Sequence, residues 1–472
     1  AVTGIGFDAT CSLVVVGPSS PPDATSHATL SVSQDDAPRD VILWMDHRAV
    51  REAVEIDATG CDALRYVGGS VSPEMQPPKL LWLKRHKPAV FGAAAHFMDL
   101  ADYLTWRCTG ATTRSACTTT CKWLHVPASP PVPVLDWTHM GGVMLEELAT
   151  GGRLGTAVAA VGSAVGTLAP EAAAALRLPT STTVAAGMID AHAGGLATVG
   201  AATPIPTPGN RLCMIAGTST CHMFTSDEAV FPAGVWGPFF GAMLPNRWLL
   251  EAGESATGRL LDHTIATHPA HAALVDTVPA GSTPAAALND LLHRMAGGDP
   301  YALSTDVHVS PYHHGNRSPV ADPTLRGAVL GLSLDSSLES LAVLYLATVQ
   351  ALALGVRHVV EVVAEAGLDV GHVVASGGLA NNPLYLQAVA DALQLPVYTS
   401  AHGDAMTRGC AVVAASACGA LSLPDAMAAM TSTSPDAAAP NPATAKYYDA
   451  KYSVFRALLN TQLRCRAIMH TL

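Results

Sequence analysis

The sequence is poor in charged residues, and cations are especially few. Only 14% of its 472 residues are Asp, Glu, Lys or Arg, and 26 Lys and Arg stand against 38 Asp and Glu. A broad nucleic-acid groove needs clustered cations to displace counterions, so the net charge of -12 argues against a nucleic-acid partner. It does not exclude a phosphate ligand, because one pocket on an acidic protein can still be rich in amides or cations.

Long hydrophobic runs and a secretory leader are also missing. The most apolar stretch, residues 343–356, is shorter than the ~20 residues of a membrane span and contains Thr348 and Gln350. It predicts a buried helix. No basic segment followed by an apolar core opens the sequence. These features favour a cytoplasmic protein without a membrane partner.

The sequence has no compact cysteine framework, since its 10 cysteines are scattered along the chain. Cys117 and Cys121 are four residues apart and lack the spacing of a zinc site. We interpret them as reduced thiols, buried or incidental, which indicates a reducing compartment. His313 and His314 lack a suitably spaced third ligand, so a structured loop is favoured over a metal site.

What the sequence does contain is an alternation of short β-rich apolar runs and longer helical ones, typical of α/β architecture. Its length predicts about three folding units, or two large ones. A composition shift with three prolines at residues 203–209 is the best boundary, giving domains 1–205 and 206–472. Surface loops are predicted at residues 17–25, 127–134 and 431–444.

Several local elements follow from hydrophobic pattern. Residues 3–8 and 12–16 are predicted as strands paired with each other, and residues 211–224 as two strands around Gly217, Thr218 and Ser219. Residues 338–366 predict a long apolar helix. Residues 372–375 predict a buried strand that leads into Gly377 and Gly378.

Asp190 is the first candidate for chemistry. It ends an apolar, strand-like segment and is followed by small residues, which would let a substrate approach the carboxylate closely. A carboxylate ionised at neutral pH can accept the proton of an attacking hydroxyl. The alternative, that Asp190 only caps the next helix, is equally supported by the local pattern.

Two glycine-containing turns are candidates for binding phosphate. Gly217, Thr218 and Ser219 offer backbone and hydroxyl donors, although an ordinary hairpin turn is the commoner interpretation. Gly377 and Gly378 precede a predicted helix with Asn382 as N-cap and Pro383 as its first residue. A ligand could lie against that backbone near the helix N-terminus, but a tight turn explains the glycines as well.

Further polar residues stand in an apolar background and could line a pocket for a polyhydroxylated ligand. Each could equally be a solvated surface group, which is the commoner case for a single charged residue. They are Asp8, Asp46, Arg48, Lys122 and Glu251.

Taken together and in order, these segments resemble the FGGY family of carbohydrate kinases, and within it most closely the D-ribulokinase subgroup. The likeness extends from Gly4 to about Ile468. The segments that carry it are GFDATCSLVV, WMDHRAV, MQPPKLLWLK, CKW, GMIDAHAGG, GTSTCHM, GVWGPF, HGNRSP, LYLATVQALALG, SGGLANNPL and KYYDAKY.

The resemblance implies the actin/hexokinase-like (ribonuclease H-like) ATPase fold, with two α/β domains and a central cleft. Residues 1–205 would bind sugar and residues 206–472 nucleotide. It implies transfer of the ATP γ-phosphate, with Mg²⁺, to a ketopentose or pentitol, D-ribulose being the leading candidate. A sugar and ATP are the expected small-molecule partners. A homodimer is one of the oligomeric states left open, and a non-catalytic sugar- or nucleotide-binding relative is the alternative function.

The resemblance also assigns site residues. Asp190 matches the catalytic base of the family. Nucleotide-binding segments are matched by Gly217, Thr218, Ser219, Gly377, Gly378 and Asn382. Sugar contacts are expected at Asp8, Ala9, Lys122 and Glu251. Asp46 and Arg48 belong to a further family segment and are counted with the expected substrate-binding residues.

One departure concerns the start of the chain. Members of the family open with a strand–turn–strand that carries an Asp-x-Gly-Thr phosphate loop, and no equivalent precedes Val2. That loop would supply donors to the β- and γ-phosphates, and its strands would complete the first sheet. We therefore expect the chain, which begins at Ala1, to be N-terminally incomplete, with exposed strand edges and little kinase activity as it stands.

Overall fold

The computed structural model describes residues 2–18, 29–35, 37–126, 135–201, 211–401, 403–434 and 438–470. The predicted loop 127–134, most of the predicted loop 17–25 and the proposed boundary at residues 203–209 lie outside these ranges.

The described chain mixes helices and strands in sequence order, as predicted for an α/β protein. Its strands are β1 Gly4–Ile5, β2 Asp8–Ala9, β3 Leu13–Val16, β4 Val41–Ile42, β5 His96–Asp99, β6 Arg114–Ser115, β7 Val158–Ala159, β8 Ala164–Thr167, β9 Thr183–Ala185, β10 Met188–Ile189, β11 Arg211–Ala216, β12 Thr220–Ser226, β13 Trp236–Phe240, β14 Trp248–Glu254, β15 His308–Ser310, β16 Ala328–Leu330, β17 His372–Ser376 and β18 Val397–Thr399. Its helices are α1 Val50–Asp57, α2 Gln76–His86, α3 Pro88–Ala93, α4 Leu100–Thr109, α5 Ala116–Lys122, α6 Pro170–Leu176, α7 Asp190–Val199, α8 Gly258–Thr267, α9 His271–Thr277, α10 Pro284–Ala296, α11 Leu338–Glu365, α12 Pro383–Leu393, α13 Ala405–Ala417, α14 Leu423–Met430 and α15 Ala445–Met469.

The chain forms two compact units, and neither is continuous in sequence. Unit 1 consists of Ala1–Gly209, Phe224–Glu251 and Asp404–Ser432. Unit 2 consists of Asn210–Met223, Ala252–Gly403 and Thr433–Leu472. Each unit therefore contains segments from both halves of the chain.

In unit 1 the first strands pair with distant partners and not with each other, so that prediction was wrong. β1 pairs in parallel with β9, β2 pairs in parallel with β10, and β3 pairs antiparallel with β4 and β5. Close packing against α13 explains the difference. A Cβ on Gly4 or Gly6 would lie 2.5 Å from a carbonyl oxygen of that helix, so these glycines let the first strand approach α13.

Unit 2 is built on the neighbouring strands β12, β11, β17 and β18, in that order. β17 pairs in parallel with both β11 and β18, from Arg211 opposite His372 to Ile215 opposite Ser376 on one side. The predicted hairpin around Gly217, the strand leading into Gly377 and the N-cap at Asn382 are all confirmed.

The long apolar helix is the core element of unit 2. α11 has 28 residues and is the one described helix that is long and apolar enough to cross a membrane. However, 78% of its most apolar window is buried inside the protein, where it packs against α8, α10 and α12. The prediction of a buried helix is therefore confirmed.

Candidate active site

Asp190 is the first residue of α7, at the point where β10 ends. The N-cap position belongs to Ile189, so Asp190 is not the N-cap residue, yet the N–H of Ala191 donates to its Oδ1 at 2.7 Å. Burial raises the pKa of Asp190, and the neighbouring Asp8 carboxylate raises it further. A mostly buried carboxylate of raised basicity at a strand end suits a proton acceptor.

The sheet register brings the predicted residues Asp8 and Ala9 next to Asp190. Asp8 lies opposite Met188 and Ala9 opposite Ile189 in the parallel pair β2–β10. The Cys410 thiol donates to Asp8 Oδ2 at 3.0 Å, and burial raises the pKa of Cys410 so that the thiol keeps its proton. The two carboxylates are thus close enough for Asp8 to raise the pKa of Asp190.

Lys122 and Glu251 form a buried ion pair within unit 1. Lys122 Nζ lies 3.1 Å from Glu251 Oε1, and both residues are less than 5% exposed. Burial lowers the pKa of Lys122 more than any single neighbour raises it, but the surrounding groups together, Glu251 foremost, raise it overall. The ammonium also sits 4.5 Å from the centre of the Trp236 ring. The sequence predicted both charges and did not predict that they would pair.

His192 joins this pair to the helix that carries Asp190. Its Nε2 lies 3.0 Å from Glu251 Oε2, and its Nδ1 lies 3.1 Å from Cys117 Sγ. Cys121, His192 and Glu251 offer donor atoms within 4.8 Å of one another, a set that could hold a metal ion. The Lys122 ammonium already neutralises Glu251, and the two imidazole nitrogens face different partners, so hydrogen bonding accounts for this cluster.

Asp46 and Arg48 bind mainly each other. The Arg48 guanidinium contacts both carboxylate oxygens of Asp46, and its Nη1 donates to the carbonyl of Val32 at 2.7 Å. Burial would raise the pKa of Asp46, but the hydrogen bonds from Arg48 lower it. Among the residues with described positions, no hydrogen bond links this pair to Lys122 or Glu251. The pair shapes the loop before α1 and leaves Arg48 little freedom.

In unit 2 the turn after β11 is locked to the start of α8. The N–H of Thr257 donates to the carbonyl of Thr218 at 2.9 Å, and that of Gly258 donates to the carbonyl of Gly217 at 3.0 Å. The Thr257 hydroxyl also donates to the Gly217 carbonyl. This anchoring fixes the turn at the N-terminus of a helix, a favourable place for an anion.

The paired glycines have different roles. Gly377 has φ +94°, and a Cβ there would lie 2.4 Å from the carbonyl oxygen of Ala216, so only glycine fits beside β11. A Cβ on Gly378 would meet no atom within 4 Å. Gly377 therefore serves packing, whereas Gly378 leaves open space for a ligand.

The Asn382 side chain makes several hydrogen bonds that stabilise the fold. Its Oδ1 accepts from the N–H groups of Leu384 and Tyr385 and from Asn289 Nδ2 at 3.0 Å, and its Nδ2 donates to the Tyr345 hydroxyl. The side chain thus caps α12 and holds α10 and α11 in place.

These unit 2 segments surround one cleft of about 860 Å³. Its predicted lining residues are Gly217, Thr218, Gly378 and Asn382, whereas Ser219 and Gly377 are not part of the described lining. The cleft also has apolar walls from Leu261, Ile265 and Leu379. This size and mixture are typical of a site for a nucleotide-sized ligand.

Several residues of the two sites escaped the sequence analysis. In unit 1 they are His192, Cys117 and Trp236, and in unit 2 Arg259, Asp262 and Asn289. His192 had a signal, since it stands two residues after Asp190 in a quoted motif. Trp236 stands in the segment GVWGPF, whereas the others become recognisable only once distant segments are brought together.

Comparison with known proteins agrees with this geometry. The model of the FGGY family of carbohydrate kinases, N-terminal domain, matches residues 24–197, and that of its C-terminal domain matches residues 212–418. An FGGY carbohydrate kinase domain-containing protein of Danio rerio is 43% identical over 99% of this chain and 87% of its own length. A D-ribulokinase of Saccharomyces cerevisiae is 36% identical over 86% of this chain and 60% of its own length.

Solved structures share the fold. A xylulose kinase from Rhodospirillum rubrum superposes with a TM-score of 0.74 and 25% identity, covering 95% of this chain and 82% of that one. A Plasmodium falciparum glycerol kinase with ADP gives a TM-score of 0.73 at 13% identity, over 98% of this chain and 83% of that one, and shows the fold alone. The fold is therefore the two-domain actin/hexokinase-like fold of sugar kinases. The chain belongs to the FGGY family of carbohydrate kinases, phosphotransferases that use ATP and a small-molecule sugar.

Proposed function

We propose that this kinase phosphorylates a ketopentose or pentitol, with D-ribulose to D-ribulose 5-phosphate as the leading reaction. The likeness to a D-ribulokinase supports this substrate class over the hexoses. A buried ammonium and carboxylate side by side also suit a polyol, because vicinal hydroxyls can donate to one and accept from the other.

The observation that carries the proposal is the arrangement along α7. Asp190 opens the helix, and His192 on the same helix touches Glu251, which is paired with Lys122. A proton acceptor and a pair of sugar-binding charges therefore meet in one part of unit 1. Asp8 and Ala9 complete this proposed sugar site, and Asp46 and Arg48 support it from the neighbouring loop.

The proposed chemistry follows from these positions. A sugar hydroxyl oxygen attacks the γ-phosphorus of ATP, the bond from that phosphorus to the β–γ bridging oxygen breaks, and ADP leaves with the bonding electrons. Asp190 accepts the proton of the hydroxyl. Its raised pKa makes it a better acceptor as long as it stays ionised at the working pH. Holding the hydroxyl in place accounts for much of the rate.

We assign nucleotide binding to the cleft of unit 2. Gly217, Thr218 and Ser219 would bind phosphate oxygens, while Gly377, Gly378 and Asn382 would form the wall against adenosine. We keep residues 1–205 as the sugar-binding part and 206–472 as the nucleotide-binding part, with Glu251 as a contribution of the second part to the sugar site.

Mg²⁺ is the divalent ion we propose for the reaction, where it would neutralise phosphate charge. The carboxylates of Asp8 and Asp190 fit the ion, because they supply the oxygen donors it prefers and are close enough for Asp8 to raise the pKa of Asp190. We propose a cytoplasmic location, which the 10 free cysteines support.

The test is ATP-dependent phosphorylation of a panel of D-ribulose, D-xylulose, L-ribulose and ribitol. It should use the chain as given and also the chain with any coding sequence upstream of Ala1. We expect D-ribulose to give the highest kcat/KM. Binding of sugar and ATP without turnover by either chain would instead support the non-catalytic alternative.

A paired variant tests the proposed base. Asp190→Asn should lower kcat by about 10³-fold or more while the Kd for sugar changes less than about threefold, because the proton acceptor is lost and the shape is kept. Asp276→Asn, on the exposed face of α9, is the matched control and should leave kcat unchanged. Undiminished turnover by Asp190→Asn would exclude Asp190 as the base.

A further inference from the structure

His192 is a buried imidazole whose two nitrogens both have partners. It is 1% exposed and lies on α7, between the helix α5 and the strand β14. Nε2 lies 3.0 Å from Glu251 Oε2. On the other side of the ring, Nδ1 lies 3.1 Å from Cys117 Sγ and 3.7 Å from Cys121 Sγ. The ring therefore bridges a pair of thiols and a carboxylate.

The partner on the Nε2 side of the ring decides where a hydrogen must lie. Burial raises the pKa of Cys121 to about 11, so this thiol is protonated at neutral pH. Cys117 Sγ accepts from the N–H of Ile189 at 3.5 Å and also lies in hydrogen-bond contact with Nδ1. Nε2 faces a carboxylate, which can only accept, so this nitrogen carries a hydrogen and donates it to Glu251. Burial would lower the pKa of His192, but the two neighbouring thiols raise it well above its usual range.

The result is a carboxylate held at both oxygens by different elements. The Nζ of Lys122, at the end of α5, lies 3.1 Å from Glu251 Oε1. The Nε2 of His192, on α7, lies 3.0 Å from Oε2. Lys122 Nζ is also only 3.4 Å from Oε2. Without the imidazole, the carboxylate could therefore rotate toward Lys122 alone, and the plane it presents to a ligand would change.

We propose that His192 is a positioning residue for sugar binding: its Nε2–H fixes the orientation of Glu251, and its contacts with Cys117 and Cys121 hold the ring in place. This inference rests on the proposed function only in that Glu251 contacts the sugar. It predicts that sugar binding requires His192, whereas binding of ATP, in unit 2, does not.

The kinetic test compares His192→Leu with His192→Gln. Leucine removes the donor, whereas the Gln amide can still donate to Glu251 from about the same depth. We expect His192→Leu to raise the KM for D-ribulose at least tenfold, with the KM for ATP unchanged within twofold. His192→Gln should bring the sugar KM back to within threefold of wild type. A merely structural role would raise both KM values or respond equally to both substitutions, and either result would overturn the proposal.

A second measurement does not depend on turnover. In wild-type protein labelled with ¹⁵N-histidine, the His192 resonances, identified by their loss in His192→Gln, should show a hydrogen on Nε2. An Nδ1–H tautomer would overturn the proposal even if the sugar kinetics were as expected. If wild type phosphorylates no sugar on the panel, the proposed function fails, and the tautomer then decides the positioning proposal by itself.

Discussion

Removing one charge of the buried pair Lys122–Glu251 should lower the free energy of unfolding far more than removing both charges. Replacing Lys122 by Met leaves a carboxylate that is 4% exposed without its cation. Removing one partner of a buried ion pair typically costs about 3–5 kcal/mol, because the remaining charge has lost its solvation and gained nothing in return. We expect Lys122→Met to destabilise unit 1 by that amount.

The double variant Lys122→Met/Glu251→Gln should recover most of this loss. The Gln amide is neutral and still offers an oxygen to His192, so no uncompensated charge remains in the core. We expect a coupling free energy of at least about 2 kcal/mol from the double-mutant cycle. Sugar phosphorylation should nevertheless stay lost in the double variant, since neither charge is restored.

The assay can report on unit 1 alone. All seven tryptophans of the chain, Trp44, Trp82, Trp106, Trp123, Trp137, Trp236 and Trp248, lie in unit 1, so tryptophan fluorescence follows the unfolding of that unit. For a unit of this size, about 3–5 kcal/mol corresponds to a Tm lower by about 6–20 °C.

Lys84→Met is the matched control, because it breaks a partly exposed pair with Glu147. It should cost less than about 1 kcal/mol. A Lys122→Met variant no less stable than this control would refute the reasoning, as would a double variant that loses the full sum of the single losses.

Two further predictions concern glycine packing and a buried acid. Gly377→Ala should destabilise unit 2 by at least about 1–3 kcal/mol, because its backbone conformation is strained for any other residue and the new Cβ meets Ala216. Gly378→Ala should leave stability within about 0.5 kcal/mol and raise the KM for ATP, since its Cβ enters open space in the cleft. Equal unfolding of the two variants by tyrosine near-UV dichroism would contradict this. For Asp99, burial above all, and the neighbouring Asp102, raise the pKa to about 8. The folded state then binds more protons than the unfolded state between about pH 4 and 8, so the free energy of unfolding falls as pH rises, by up to about 1.4 kcal/mol per unit. Asp99→Asn should remove this slope in chemical denaturation at pH 5–8, and a wild type that gains stability over that variant with rising pH would show that Asp99 is ionised.

Local elements were largely predictable because their signals lie within a few residues. The hairpin around Gly217, the cap at Asn382 and the long helix α11 each follow from short-range pattern and were confirmed. The pairing of the first strands was not predictable in this way. β1 pairs with β9, almost 180 residues later, and no local feature of the first strands predicts that partner.

In the candidate site, too, features within one segment were predictable and contacts between distant segments were not. Asp190 could be proposed because a carboxylate at a strand end is visible in one segment. The bridge from His192 to Glu251 spans 59 residues, and the thiols at its other side lie more than 70 residues earlier. The sequence predicted those thiols to be buried or incidental, and they are buried, but only the folded chain brings them to the imidazole.

The return of the chain to unit 1 has a consequence for how the protein is made. α13 packs against α7, where Gly409 lets it approach so closely that a Cβ would collide with the carbonyl of Ala193. During synthesis, the segment that supports Asp190 therefore emerges from the ribosome only after most of unit 2 has been translated. Until then the nascent first unit lacks α13, and the exposed faces it presents are natural targets for chaperones. A fragment ending before unit 2 would keep those faces uncovered permanently, so the sugar-binding half should be insoluble when expressed alone.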